Sequence, residues 1–110
     1  MSIVVVESPF RARGYDEQEK FRRYLNECMR ALLLRGYSPM ASHRLYTEPL
    51  DDRVPDERKL GIEAGLAFYE VATHCVVCGA FGRSTGMVKG IEHAKSKGVT
   101  VVEFDDLMAQ

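Results

Sequence analysis

The chain has 110 residues, of which 45% are hydrophobic and 28% are charged. This length and composition predict one globular domain over residues 1–110 and exclude a disordered or fibrous chain. The formal net charge of -1 disfavours binding to nucleic-acid polymers. No segment has the apolar length of a membrane span and the N-terminus lacks signal-peptide features, so we expect a cytoplasmic protein without a membrane partner.

The cysteines are predicted to be buried thiols. The chain has an odd number of cysteines, which disfavours a disulfide framework; they are Cys28, Cys75 and Cys78. Cys75 and Cys78 form a CxxC pattern, the spacing of redox pairs and of half a zinc site. Two valines separate them in a strand-like run, and residues three apart in a strand face opposite sides of the sheet. We therefore predict no metal and no cofactor.

The first half of the chain predicts a strand, a long helix and an edge strand. Residues 3–6 are an all-apolar, β-branched run, which is typical of a central parallel strand buried on both faces. Residues 16–35 repeat apolar side chains at spacings of three and four, which predicts an amphipathic helix that ends at Gly36. Residues 37–41 predict a short strand at a sheet edge, because Pro39 lacks an N–H group.

The second half alternates helices and strands. We place them at residues 55–71 (helix), 75–78 (strand), 84–97 (helix) and 99–104 (strand). Residues 42–56 form a long connection of a length that is often functional. Gly61 and Gly65 are predicted to let the second helix lie close to a neighbour, and Ser84 is the predicted N-cap of the third helix.

This order of elements predicts the fold class. Alternating strands and helices favour an α/β, Rossmann-like (flavodoxin-like) three-layer sandwich. We expect a mostly parallel sheet of four or five strands in the order 2-1-3-4. In such sheets a ligand binds beyond the carboxyl ends of the strands, where the strand order reverses. Here that point lies between the loops at residues 8–14 and 79–86.

The loop at residues 79–86 joins a strand to a helix and holds three glycines, a serine and a threonine. A strand, glycine loop and helix in this order present backbone N–H groups to a phosphate or a sugar. The candidate ligand-binding residues of this region are Gly79, Gly82, Ser84, Gly86 and Met87.

Several segments along the chain carry a family resemblance. They are Glu7-Ser8-Pro9-Phe10 and residues 41–47, 50–58, 61–67 and 84–94. Together they resemble the phage and bacterial DUF7768/DUF4406 type of domain, which is similar to the nucleoside 2-deoxyribosyltransferase superfamily. The resemblance implies a single deoxyribosyltransferase-like domain that binds a small nucleotide or nucleoside. It also implies a homo-oligomer and, for a phage protein, sequestering of a nucleotide in the host cytoplasm.

The resemblance also implies a chemistry, from which this chain departs. Enzymes of that superfamily cleave N-glycosidic bonds or exchange bases, with a carboxylate at the anomeric carbon. The motif places the nucleophilic glutamate at position 90, where this chain has Gly90, and Ala80 stands where an aspartate is usual. Both departures favour a nucleotide-binding protein. The alternatives are an active N-glycosidase or deoxyribosyltransferase and an assembly protein with a vestigial pocket.

The loop after the first strand supplies further candidate ligand-binding residues, which are Ser8, Pro9, Phe10 and Arg11. The Ser8 hydroxyl is suited to a phosphate or sugar, Phe10 to stacking on a base, and Arg11 to clamping a phosphate. The structural alternatives are a turn residue, a core or lid aromatic and a solvated arginine. His43 is a candidate hydrogen-bonding or acid–base group, against the alternative of a structural histidine.

If the protein is an enzyme, its catalytic acid must come from another position. The candidates are Asp51, Asp52, Glu63 and Glu70. The tandem aspartates lie in the long connection, where the alternative is turn formation or capping. Glu63 and Glu70 are seven residues apart and are expected on one face of the second helix, where the alternative is a solvated stripe.

Overall fold

Four parallel strands form the central sheet of the computed structural model, which describes residues 1–110. The strands are β1 (Ser2–Glu7), β2 (Tyr37–Met40), β3 (His74–Val77) and β4 (Thr100–Glu103). Their order is β2-β1-β3-β4, which confirms the predicted parallel α/β fold and strand order. Pro39 pairs with Val4 from edge strand β2, where the missing N–H group is tolerated.

Five α-helices flank or extend the sheet. They are α1 (Tyr15–Leu34), α2 (Ser42–Leu45), α3 (Pro55–Leu66), α4 (Thr85–Ser96) and α5 (Phe104–Met108). The sequence did not predict α2, which lies in the long connection, or α5, which begins inside the expected fourth strand. The helix predicted at residues 55–71 ends earlier, because the chain tightens into a 3-10 helix, Ala67–Glu70, after α3.

The core consists of two apolar clusters, one on each face of the sheet. Val4 of β1 packs in the cluster that contains Leu25 of α1. Its neighbour Val5 belongs to the opposite cluster, with Met87 and Ile91 of α4. Successive side chains of β1 therefore enter different clusters, which explains why this strand is apolar without alternation.

The three cysteines are buried and free, as predicted. Cys28 and Cys78 belong to the cluster beneath α1, whereas Cys75 belongs to the cluster beneath α4. No group of three or more His, Cys, Asp or Glu side chains is placed to hold a metal ion. No helix combines the length and the apolar character that crossing a membrane requires.

Candidate functional site

A cavity of about 360 Å³ opens at the carboxyl edge of the sheet. It lies between the end of β1 and the start of α4, and α2, α3 and the segment that joins them complete its wall. We call this cavity the crevice. It occupies the point between β1 and β3 where the strand order reverses, the position at which open α/β sheets bind ligands.

Most of the predicted ligand-binding residues line the crevice. They are Ser8, Phe10, Arg11, His43, Ser84, Gly86 and Met87. Pro9, Gly79 and Gly82 do not line it. Residues that are far apart in sequence are thus gathered in one cavity, although the glycine loop contributes only its second half.

The first half of the glycine loop lies over α1 instead. The backbone N–H of Ala80 donates a hydrogen bond of 3.0 Å to the Tyr24 hydroxyl. The ring of Phe81 packs edge-on against Tyr24, with 5.1 Å between the ring centroids. Gly82 makes the turn that follows, with a φ of 86° in the left-handed region that glycine tolerates. The aromatic contact with α1 therefore holds Gly79 and Gly82 away from the crevice.

The N-terminus of α4 faces the crevice and is capped by Ser84. The Ser84 Oγ accepts a hydrogen bond of 3.2 Å from the backbone N–H of Met87. Other N–H groups of this first turn lack intrahelical partners and carry the positive end of the helix dipole. Lys89 and Arg11 also line the crevice, and neither forms an ion pair. This side of the crevice is therefore suited to an anionic group.

An aromatic pair also lines the crevice. The rings of Phe10 and His43 are stacked, with centroids 4.9 Å apart and an interplanar angle of 26°. The Nε2 atom of His43 lies 3.4 Å from the Oγ of Ser8. Burial, with a smaller effect of Arg44, lowers the pKa of His43 to about 4. The imidazole is therefore neutral at physiological pH, and it offers hydrogen bonding and stacking rather than charge.

The tandem aspartates have different surroundings. Asp52 lines the crevice, and its Oδ1 lies 3.9 Å from Nε of Arg58. Asp51 lies outside, where its Oδ1 accepts hydrogen bonds of 3.0 Å from both the backbone N–H and Nε of Arg53. Asp51 thus shapes a turn, the structural role that its position allowed.

Glu63 and Glu70 both point into solvent, away from the crevice. The side chain of Glu63 is 60% exposed and lies 3.9 Å from Nζ of Lys59. The side chain of Glu70 is 63% exposed and lies 3.0 Å from Nζ of Lys97. Glu70 falls in the 3-10 helix, so the spacing of seven residues does not place it on the face of α3 that carries Glu63.

The crevice contains a carboxyl group that the sequence reasoning missed. Glu7, the last residue of β1, lines the crevice, and its Oε2 accepts a hydrogen bond of 2.6 Å from the Tyr69 hydroxyl. Burial raises the pKa of Glu7 to about 7, although the bond from Tyr69 acts in the opposite direction. The available signal was one charged residue that ends an otherwise apolar central strand at its carboxyl end.

Glu7 also accounts for the glycine at position 90. A Cβ atom built on Gly90 would lie 2.6 Å from Oε1 of Glu7 and closer still to Oε2. The carboxyl group from β1 therefore fills the space into which a side chain at position 90 would project.

A known protein family matches the chain over nearly the whole of this fold. The model of a family described as "Domain of unknown function (DUF7768)" matches residues 2–104, from the first residue of β1 to the first residue of α5. No curated protein matches the chain. The protein belongs to the DUF7768 family.

Proposed function

We propose that the crevice binds a small nucleotide or nucleoside. The observation that carries the proposal is that one cavity is lined both by anion-binding groups and by an aromatic pair. A cavity of about 360 Å³ falls within the size range of small-molecule sites. The resemblance to nucleoside 2-deoxyribosyltransferases supports the same ligand class.

The anion-binding groups of the crevice are suited to a phosphate. The first turn of α4 supplies N–H groups, and Arg11 and Lys89 supply positive charges without carboxylate partners in the chain. An arginine forms paired hydrogen bonds with phosphate oxygens, while a lysine acts as a point charge.

The aromatic pair of the crevice is suited to a base. Phe10 and His43 present rings, and Leu50, Ile62 and Leu66 add apolar surface to the same cavity. Base stacking on an aromatic ring contributes about 1–3 kcal/mol and tolerates different bases. A nucleotide carries both a base and a phosphate, which matches the two kinds of group that line the crevice.

Calorimetry and thermal unfolding of the full chain test this proposal. The probes are nucleosides of the four common bases, their 5′-mono-, di- and triphosphates, and inorganic phosphate. We expect at least one nucleoside or nucleotide to raise Tm, and Lys89→Gln to weaken binding of the phosphorylated probes. Lys95→Gln is the matched control, because Lys95 lies on α4 outside the crevice and pairs with Glu92. A panel in which nothing binds contradicts the proposal and favours an assembly role, which light scattering would then examine.

A second candidate function is cleavage of the N-glycosidic bond. The observation that favours it is the carboxyl group of Glu7 over Gly90, since the resemblance assigns the nucleophile to position 90. In this reaction the carboxylate attacks the anomeric carbon while the C–N bond breaks, and the base leaves with the bonding electrons and takes a proton from water. A second water then hydrolyses the glycosyl ester and restores the carboxylate.

Chromatography of nucleosides and nucleotides incubated with the protein tests this second function. Release of free base that Glu7→Gln abolishes and Glu63→Gln leaves unchanged would establish it, because Glu63 faces solvent. Binding without base release contradicts the enzyme and leaves the binding protein.

A further inference from the structure

Glu7 has an unusual position for a carboxyl group. It lies where the apolar cluster of Val5, Tyr69, Cys75 and Met87 meets the crevice. A partly buried carboxyl group beside apolar side chains is stabilised in its charged form by hydrogen bonds. Its role in ligand binding therefore depends on which partners it has.

The partners of Glu7 within the chain leave it incompletely bonded. The Tyr69 hydroxyl is the one side-chain group that donates to it, and no cation forms an ion pair with it. An ionised carboxylate offers about four acceptor positions. On the side of α4 the carboxyl group lies against the backbone at Gly90, which offers no side-chain hydrogen-bond donor. Unfilled acceptor positions thus remain beside the crevice.

We propose that Glu7 determines the ligand specificity of the crevice, and that its carboxylate accepts hydrogen bonds from the hydroxyl groups of a sugar seated over Gly90. This inference rests on the proposed nucleotide or nucleoside binding. Glu7 directly precedes Ser8, whose hydroxyl lies near His43, and it approaches α4 at Gly90, so it lies between the loop that carries Phe10 and the first turns of α4. The sugar joins base and phosphate in a nucleotide, and its hydroxyl groups are hydrogen-bond donors.

The proposal implies that binding of the sugar releases a proton. The Tyr69 hydroxyl contacts both Glu7 and the thiol of Cys75. The other charged or titratable groups that line the crevice with Glu7 are His43, Arg11, Asp52, Glu57, Arg58 and Lys89. Burial raises the pKa of Cys75 to about 12, and the pKa of His43 is about 4, so neither changes charge near neutral pH. The pKa of Glu7 is about 7, so a ligand that requires the ionised form displaces its proton.

Calorimetry between pH 5.5 and 8 with ribonucleosides and their 2′,3′-dideoxy counterparts tests the inference. Nucleosides are used for this series because a phosphate group itself titrates near pH 6. We expect ribonucleoside affinity to rise up to about tenfold per pH unit until about pH 7 and then to level off. We also expect proton release, seen as a binding heat that depends on the buffer. The dideoxy probes should bind more weakly and with little pH dependence.

Variants separate the role of Glu7 from a general effect. Glu7→Gln should remove both the pH dependence and the preference for the ribonucleoside. Glu103→Gln is the matched control, because Glu103 ends β4 at the same level of the sheet, pairs with Arg83 and lies outside the crevice. If Glu7→Gln does not fold, the comparison of ribonucleoside and dideoxy probes on the wild-type chain decides the question.

Each outcome has a distinct meaning. Equal affinities for ribonucleosides and dideoxy probes overturn the role of Glu7 but leave the proposed function intact. An affinity that falls as pH rises overturns it as well, since neutral Glu7 would then be the donor. Binding of neither probe class, nor of any nucleotide, overturns the proposed function itself.

Discussion

At the scale of single residues, Glu7 and Gly90 depend on one another. The sequence motif presents Gly90 as the loss of an acid, whereas the structure places the carboxyl group of Glu7 in the same space. The pair lies 83 positions apart in the sequence, taking 90 minus 7. Their contact is a product of the fold, and neither residue alone indicates it.

Replacement of Gly90 tests this dependence. In the wild-type background Gly90→Ala should destabilise the protein by up to about 2 kcal/mol, because overpacking costs about 1–3 kcal/mol and the gain in helix propensity offsets about 1 kcal/mol of it. In a Glu7→Ala background the clash is gone, so Gly90→Ala should stabilise the protein by up to about 1 kcal/mol. Urea unfolding of the four proteins measures the coupling. Equal effects in both backgrounds would show that Glu7 does not fill the space at position 90.

At the scale of elements, α3 lies close to α2 through one of its two glycines. A Cβ atom on Gly65 would lie 2.5 Å from Cβ of Ser42, which is fixed to the backbone of α2. A Cβ atom on Gly61 would lie 3.4 Å from Cδ1 of Leu50 and 3.6 Å from Cβ of Tyr46, which are ordinary packing distances. The predicted close approach of this helix therefore occurs at Gly65, next to the crevice wall.

The two glycines make a matched pair of substitutions. Gly65→Ala should destabilise the protein by about 1–3 kcal/mol, because α2 and α3 must move apart. Gly61→Ala should be neutral or stabilising by up to about 1 kcal/mol, because the end of Leu50 can rotate and alanine favours the helix. Denaturant midpoints at constant m-value give the comparison. A larger loss for Gly61→Ala would be inconsistent with this packing.

The cap of α4 has a structural and a ligand-binding role that substitution can separate. Ser84→Ala removes the hydrogen bond to the Met87 N–H and should cost about 0.5–2 kcal/mol. Ser84→Asp keeps a capping oxygen, so stability should be retained, but its negative charge should weaken binding of phosphorylated probes. Thermal unfolding and calorimetry measure the two effects. Ser96→Ala, at the other end of α4, is the control: it removes the hydrogen bond of 2.7 Å from the Ser96 hydroxyl to the His93 carbonyl and should leave phosphate binding unchanged. Undiminished phosphate binding by Ser84→Asp would argue against an anion site here.

The elements also show what the sequence was able to predict. The apolar run of β1 and the periodicity of α1 are strong local patterns, and the alternation of strands and helices along the chain led to the correct sheet order. The helices α2 and α5 span only Ser42–Leu45 and Phe104–Met108, too short for a helical period to emerge. The direction of the glycine loop depends on the packing of Phe81 against α1, which is a tertiary contact. The strand order was enough to place Ser8 and Ser84 on either side of the crevice. The role of Glu7 depends on tertiary contacts with Tyr69 and Gly90, so the sequence did not indicate it.

At the scale of the whole molecule, two groups of the crevice make the stability of the fold depend on pH in opposite directions. The pKa of Glu7 rises from 4.5 to about 7 on folding, so the folded state holds the extra proton and stability decreases as pH rises through this range. The pKa of His43 falls from 6.5 to about 4, so the unfolded state holds the extra proton and stability increases with pH. The slopes have opposite signs and cancel over the range that both share, from pH 4.5 to 6.5.

Single substitutions should expose the slopes that cancel in the wild type. Relative to the wild type, Glu7→Gln should lose stability on acidification from pH 6.5 to 4.5, by at most about 1.4 kcal/mol per pH unit. His43→Gln should gain stability over the same interval, and the double variant should again run parallel to the wild type. The exposed carboxylates that arginines stabilise, Glu17, Glu19 and Asp51, affect all four proteins alike. Denaturant unfolding at several pH values measures these differences. Four parallel curves would mean that neither group changes its pKa on folding. Glu7 would then carry no proton near neutral pH, and binding of the sugar could not release one.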